Sequence, residues 1–460
     1  MTIEPRTSTL RRVLRRLDLT LFSVCAIVVL DGLTAQASIG VSSLAWTLII
    51  LVAFFIPYAL ITAELGAAYP EQGGLFVWVR LAFGQRWAAR STWCYWVSIP
   101  LGMPSVYVLF AGMLSRLFLP DLSLGWIVAI AIGMTWLTVL AGIFQLDIGK
   151  WVSNLGALLK VVIVLTLGIG GVVYSIRHGA ANQLSLRSIL PGWNAGLAFL
   201  PVIVFNFLGF ELASGAGEEM KNPSRDVPAS IIASGGLIAF FYLFATLGIL
   251  LALPLERLNM VGGIIDALNA VLGTSGTGQL VAKTLGIAFL STLFATMVTW
   301  TIGASRMVAE AAARRNLPGI FGWRHPVHGS PIGASLLSGM ISTLVLIVYA
   351  GLAGREEGLF WSLFAFASIV FLLPYMLLFP AFLKLRCSDP QTPRPYRFPG
   401  GKGLAWMATV ICTLVVLLSI VFFVWVPGLP IDWSFILPVV VGVGITLIAG
   451  EALFRKPLPD

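Results

Sequence analysis

Asp31-Gly-Leu-Thr-Ala-Gln-Ala-Ser-Ile-Gly40 sits inside an apolar run at 20–41, and Asn206-Phe-Leu-Gly-Phe-Glu-Leu-Ala-Ser-Gly-Ala-Gly217 sits inside another at 195–217. Each puts glycine, a carboxylate and neutral polar side chains at a depth where a membrane helix is otherwise apolar. A break in a helix inside lipid is tolerated only where protein or a water-filled cavity satisfies the freed backbone groups. A charge at mid-bilayer costs roughly 2.5–3.5 kcal/mol on insertion scales and normally faces the bundle interior. The two stretches therefore predict interrupted helices that share a midplane chamber.

Ten more apolar runs surround them, at 44–67, 92–118, 123–144, 151–175, 229–253, 279–312, 331–352, 358–384, 404–426 and 433–454. The chain has 460 residues, of which 58% are hydrophobic and 11% charged, against about 25% charged in a soluble chain. Crossing a bilayer takes about 20 apolar residues, so an all-α membrane protein of 12 transmembrane helices is expected. The interrupted spans are the first and sixth. An odd number of spans per repeat inverts the second relative to the first, and such paired breaks point to a binding site. The organisation expected is a cytoplasmic segment 1–19, a first inverted repeat 20–175, a second 195–384, and two peripheral helices in 404–454. With the N-terminus inside, about 22 Lys and Arg fall in cytoplasmic segments and about 6 outside, with Lys160 within a span. The expected location is the inner membrane, with both termini cytoplasmic. The longest external connection, 254–278, has room for a short amphipathic helix.

Composition and spacing also exclude classes. The net charge of +9 is spread over short loops rather than gathered on one face, so nucleic acid is not an expected partner. Cys25, Cys94, Cys387 and Cys412 are far apart, and neither a CxxC pair nor an HExxH helix is present. No Gly-rich loop ends in Lys-Ser or Lys-Thr. No cofactor, no metal and no enzymatic activity is expected. The basic Arg6–Arg16 segment leads into a run long enough to remain as a first span rather than a cleaved signal. The partners expected are a small-molecule substrate, with protons as a possible second, and membrane lipid around a monomer or homodimer.

Asp31 and Glu211 are the candidate charged groups, either attracting a cationic amine or coupling transport to protons. The plainer alternative is that each accepts hydrogen bonds from nearby N–H groups and pins its helix break. Thr34, Gln36 and Ser38 of the first break, with Phe205, Asn206 and Gly209 of the sixth, complete the substrate-binding set. Trp300 and Tyr95 are aromatic gate candidates, though in a chain with 12% aromatic residues most rings pack against helices or lipid. Glu64, at the end of the second span, is as well explained by pairing with Arg80, Arg86 or an N-terminal arginine as by gating.

Ala63-Glu-Leu-Gly-Ala-Ala-Tyr-Pro-Glu-Gln-Gly-Gly-Leu-Phe-Val-Trp-Val79 with Phe83-Gly84 resembles the second-to-third-span signature of the amino acid–polyamine–organocation (APC) superfamily. Gly209-Phe-Glu211 followed by Glu219-Met-Lys-Asn-Pro-Ser-Arg-Asp-Val-Pro228 resembles its sixth span and following loop. Ser305-Arg306 with Arg315-Asn-Leu-Pro318 is similar to the region after its eighth span. Arg397-Phe-Pro-Gly-Gly-Lys-Gly403 is similar to a loop of the glutamate/GABA antiporter branch, and Ala-Leu-Ile-Thr-Ala-Glu-Leu at 59–65 also resembles polyamine–proton symporters. The resemblance implies a LeuT-type fold, 5+5 inverted repeats plus two peripheral helices, with helices 1 and 6 discontinuous. It implies a secondary-active amino acid transporter, by exchange or proton coupling, with a polyamine or monoamine importer as the alternative. By position it implies Phe205 as a sixth-span gate, Trp300 beneath the substrate, Tyr95 in an inner gate and Glu211 as the sixth-span carboxylate. The superfamily's Gly-Ser/Ala-Gly first-span signature is replaced here by Thr34-Ala-Gln-Ala-Ser-Ile-Gly40, and Asp31 beside it favours a substrate with little negative charge.

Overall fold

The computed structural model describes residues 16–71, 73–119, 122–144, 148–192, 200–215, 222–258, 262–326, 329–352, 356–426 and 430–454. Among them, ten helices are long and apolar enough to cross a membrane, and they fall on the ten uninterrupted runs read from the sequence. The two remaining runs are each a pair of short helices. In chain order the elements are α1 (Arg16–Ile27), α2 (Asp31–Ala37), α3 (Ser43–Ala68), α4 (Leu75–Phe83), α5 (Gln85–Phe118), α6 (Leu124–Ile143) and α7 (Ile148–His178). There follow α8 (Leu200–Asn206), α9 (Phe210–Gly215), α10 (Pro223–Ala252), α11 (Gly263–Leu272), α12 (Gly276–Ala313) and α13 (Ile332–Leu352). The last are α14 (Glu356–Leu372), α15 (Tyr375–Ser388), α16 (Gly401–Val424) and α17 (Trp433–Leu453).

Packing divides the helices into two groups. The pairs α1/α2 and α8/α9 pack with α3 and α10, whereas α5, α6, α12 and α13 pack with one another. α7 bridges the groups by touching α1, α10 and α12, and α14 lies along α5. Only 33% and 22% of the apolar windows of α16 and α17 are buried, against 78% for α5; these two helices are peripheral. The end of the bundle where α1 begins is called here the N-terminal face.

Both interruptions have local causes. Gly209 has φ +128°, a left-handed conformation open in practice to glycine, so α8 cannot run on into α9. At the first break a Cβ on Gly32 would lie 2.6 Å from Asn206 Nδ2. Glycine there lets α2 and the end of α8 meet closely.

Among the described residues three connections contain α-helices, one of them only the short Leu186–Ile189 turn. α11 is the short amphipathic helix expected in 254–278, burying Ile264, Ile265, Ala267 and Leu268. α4 was not expected, because its apolar run is too short to span and reads as loop. The run Leu75-Phe-Val-Trp-Val79 is wholly buried, so the segment packs beneath the bundle instead of crossing it.

The α7–α10 crossing depends on small residues, since a Cβ on Gly171 would lie 2.5 Å from Gly248 Cα. Close approach of this kind replaces the hydrophobic drive that lipid removes. We expect Gly171→Leu to destabilise the purified protein by about 2–3 kcal/mol, seen as a lower thermal transition in detergent. An unchanged transition would contradict this packing.

Candidate functional site

A helix end leaves backbone carbonyls and N–H groups without intrahelical partners, and at both breaks side chains from other helices take them up. At the end of α1, Lys160 Nζ donates to Cys25 O at 2.5 Å and Trp300 Nε1 to Ala26 O at 3.0 Å. The Tyr242 hydroxyl donates to Ile27 O at 2.7 Å and accepts from Val29 N–H at 2.8 Å. Lys160 is buried and stands at a helix C-terminus, where the dipole favours a cation. Gly32 N–H and Leu33 N–H close turns onto Val29 O and Leu30 O at 3.3 and 3.2 Å.

At the second break, Leu208 N–H bonds Phe205 O at 3.1 Å. Gly209 and Phe210 N–H donate to the Tyr58 hydroxyl at 3.0 and 2.9 Å. That hydroxyl in turn donates to Glu211 Oε2. Oε1 of the same carboxylate accepts from Tyr95 at 2.6 Å and from Tyr375 at 2.7 Å. Glu211 is 0% exposed and lies in the first turn of α9, where the helix dipole favours negative charge. Three O–H donors to one carboxylate form a charge-assisted clasp joining α3, α5, α9 and α15.

On the far side of the clasp from the N-terminal face, Trp300, Phe371 and Tyr95 form a layer, with ring centroids 5.3 Å (Trp300–Phe371) and 5.4 Å (Tyr95–Phe371) apart. Above it lies a chamber of about 70 Å³, room for about five water-sized spheres. Val29, Phe205 and Leu208 bring both breaks to its wall, and Met103, Val106, Leu293, Met297, Phe364 and Phe371 make the wall largely apolar. Of its hydroxyls, Ser98, Ser105 and Thr296 donate to carbonyls of their own helices. Ser368 Oγ is buried with no partner, a lone hydrogen-bonding group on the wall.

The structure brings the predicted residues together unevenly. Phe205 and Trp300 line the chamber, and Tyr95, Gly209 and Glu211 lie in the layers directly below. Thr34, Gln36, Ser38 and Asn206 are not part of the lining. Gln36 Nε2 donates to Thr47 Oγ1 at 2.8 Å, Asn206 Nδ2 to Gln36 Oε1 at 3.4 Å, and Ser38 Oγ to Thr34 O at 2.8 Å. These residues join α2, α3 and α8 to each other. The Asp31 side chain lies outside the described residues. Sequence reading missed Tyr58, Tyr242, Tyr375 and Ser368, single hydroxyls in apolar runs with no motif around them. Lys160 was visible as a lysine within a span, but nothing in the sequence said that it met the end of α1.

Towards the N-terminal face, Glu64 pairs with neither Arg80 nor Arg86. Arg386 holds it through two bonds of 2.9 and 3.0 Å, Arg394 approaches to 3.2 Å, and Phe398 N–H donates at 2.6 Å. The expected partner Arg80 sits on α4 beside Glu71 at 3.6 Å, while Glu64 turns inward to α15. Next to it Tyr69 donates to Asp389 Oδ2 at 2.9 Å. Burial, then the Asp389 carboxylate, push the Tyr69 phenol up to about 12, so it remains a donor at neutral pH.

The family described as amino acid permease matches residues 14–445. The chain belongs to that family. The permease is 34% identical over 441 residues to the probable agmatine/putrescine antiporter AguD of Lactococcus lactis subsp. lactis (strain IL1403), covering 95% of this chain and 93% of that protein. It is 27% identical over 371 residues to a probable polyamine transporter of Arabidopsis thaliana, covering 79% of this chain and 70% of that protein. Among solved structures, MhsT in complex with L-phenylalanine matches with a TM-score of 0.63 at 18% identity, over 90% of this chain and 99% of that chain. The fold is thus LeuT-type. The permease is a member of the APC superfamily and a multi-pass membrane transporter of small molecules rather than an enzyme.

Removing one partner of a buried ion pair leaves the other charge uncompensated. We expect Glu64→Gln to destabilise the permease by about 3 kcal/mol, and Arg386→Met added to it to restore part of the loss. Thermal unfolding of the single and double variants checks this; equal stabilities for E64Q and wild type would remove the buried charge set from the account.

Proposed function

We propose that the permease exchanges small amines across the cell inner membrane by alternating access, and that its substrate is a decarboxylated amine of the diamine or agmatine class. The observation that carries this reading is the state of the N–H groups at the breaks. A substrate carboxylate would need free N–H donors, yet those of Val29, Gly32, Leu33, Gly209 and Phe210 all have protein partners. Glu211 adds negative charge in the layer just below the same chamber. The apolar wall suits a methylene chain, the Trp300 face suits a cation–π contact worth about 0.5–2 kcal/mol, and Ser368 suits a polar head group. The relative AguD, by its name, handles agmatine and putrescine.

In this reading the N-terminal face is cytoplasmic, as the excess of Lys and Arg in those loops favours. The clasp at Glu211 and the charge set at Glu64 close that side. Rocking of the group α1–α3 and α8–α10 against α5, α6, α12 and α13 opens it, and Glu211, with Asp31, carries any coupling to protons. A second reading, exchange of amino acids, is favoured by the family description.

Counterflow in proteoliposomes separates the two. Uptake of labelled putrescine or agmatine is expected to saturate and to be stimulated by the same amines inside. Ser368→Ala is expected to raise the apparent KM about fivefold with little change in maximal rate. Stimulation by internal amino acids and none by amines would replace the amine reading with the amino acid one.

A further inference from the structure

The three tyrosines that hold Glu211 come from different parts of the bundle. Tyr58 is on α3, which packs against α9 and α10 in the same group as Glu211 itself. Tyr95 is on α5 of the opposing group, and Tyr375 is on α15. Their targets also differ: Tyr58 takes Oε2, while Tyr95 and Tyr375 share Oε1. Only Tyr58 also accepts from the backbone, closing Gly209 and Phe210 N–H as a side-chain cap would at the start of α9. Gly209 has no side chain to do this, so the cap comes from another helix. The Tyr58 ring is wedged against Phe54, Phe210, Tyr375 and Phe379, with centroids 5.5–6.0 Å away.

From this division we infer that Tyr58 is a positioning residue of the transport cycle: it tethers Oε2 of Glu211 in every conformation, so that Oε1 alone makes and breaks the seal with Tyr95 across the two groups. The tether lies within one rigid group, so rocking leaves it intact. The Tyr95 bond to Oε1 crosses to the opposing group, so rocking separates it, whereas Tyr375 sits on α15, which packs against α3, α4 and α16. An untethered carboxylate would swing away from its α5 and α15 partners and leave the inner side poorly closed. This inference rests on the alternating-access reading given above and assigns the seal's geometry to a residue outside it.

The test uses a buried reporter. Ala304 lies one turn beyond Trp300 towards the N-terminal face on the chamber side of α12, and it is 0% exposed. Ala304→Cys is introduced with Cys387→Ser, which removes the exposed cysteine; Cys25, Cys94 and Cys412 are buried. A membrane-impermeant maleimide is applied from the N-terminal face of the reconstituted full-length permease. Tyr58→Phe is expected to speed labelling about tenfold. In a Glu211→Ala background, where the seal is already lost, labelling is expected to be fast and Y58F to add less than about twofold. A purely structural role would lower the thermal transition equally in both backgrounds and leave labelling unchanged, and that result overturns the inference. Additive effects of Y58F and E211A overturn it as well. If Y58F does not fold, 3,5-difluorotyrosine at position 58 keeps the ring and strengthens the O–H donor. Labelling is then expected to slow below wild type, and an unchanged rate counts against the tether. Failure of the Ala304→Cys reporter to label in any background, with or without putrescine, would instead bring down alternating access at this site.

Discussion

A helix that stops halfway through a bilayer must have its freed backbone groups satisfied by protein, and this constraint organises the centre of the permease. The two breaks are treated alike. A tyrosine from α10 closes the α1/α2 break, and a tyrosine from α3 closes the α8/α9 break. Each stitching helix follows one broken helix in the chain and serves the break of the other. The exchange binds α1/α2, α3, α8/α9 and α10 into one body. Lys160 and Trp300, from α7 and α12, reach into the same body at Cys25 and Ala26, and in the alternating-access reading these are contacts that rocking disturbs.

Satisfying the breaks also shapes what can bind. With the N–H groups of Val29, Gly32, Leu33, Gly209 and Phe210 paired, the chamber wall is made of apolar surface, ring faces and one unpartnered hydroxyl. In the amine reading proposed above, recognition comes from the length of the aliphatic chain and from the attraction of the buried Glu211 carboxylate for a cation. Three hydroxyl donors fix Glu211 firmly, and two of them come from helices outside its own group. The layer of Trp300, Tyr95 and Phe371 is at once a floor for the chamber and a roof for the clasp.

Hydropathy made the uninterrupted spans legible, and polar residues at membrane depth marked the two breaks. Glu211, the buried carboxylate that the three tyrosines hold, was legible for the same reason. Its partners were not, because a tyrosine in an apolar run gives no sign of the helix it will face. The same blindness to facing explains Gln36 and Asn206, polar residues that were read as substrate contacts and in the structure bond to each other and to Thr47. Glu64 was expected beside basic residues near in sequence, but its partners lie more than 300 positions away. α4 was hidden because a short apolar segment flanked by glycines looks the same as a turn until something is found to cover it.

The central claim is that the body holding both breaks moves against the rest of the bundle around the Glu211 seal. The most direct measurement is the distance between spin labels at Arg225→Cys on α10 and Ala313→Cys on α12, exposed positions at the N-terminal face, in a Cys387→Ser background. The account predicts a short separation without substrate and a second, longer population when putrescine or agmatine is present. A single distance that no amine or amino acid changes would contradict it.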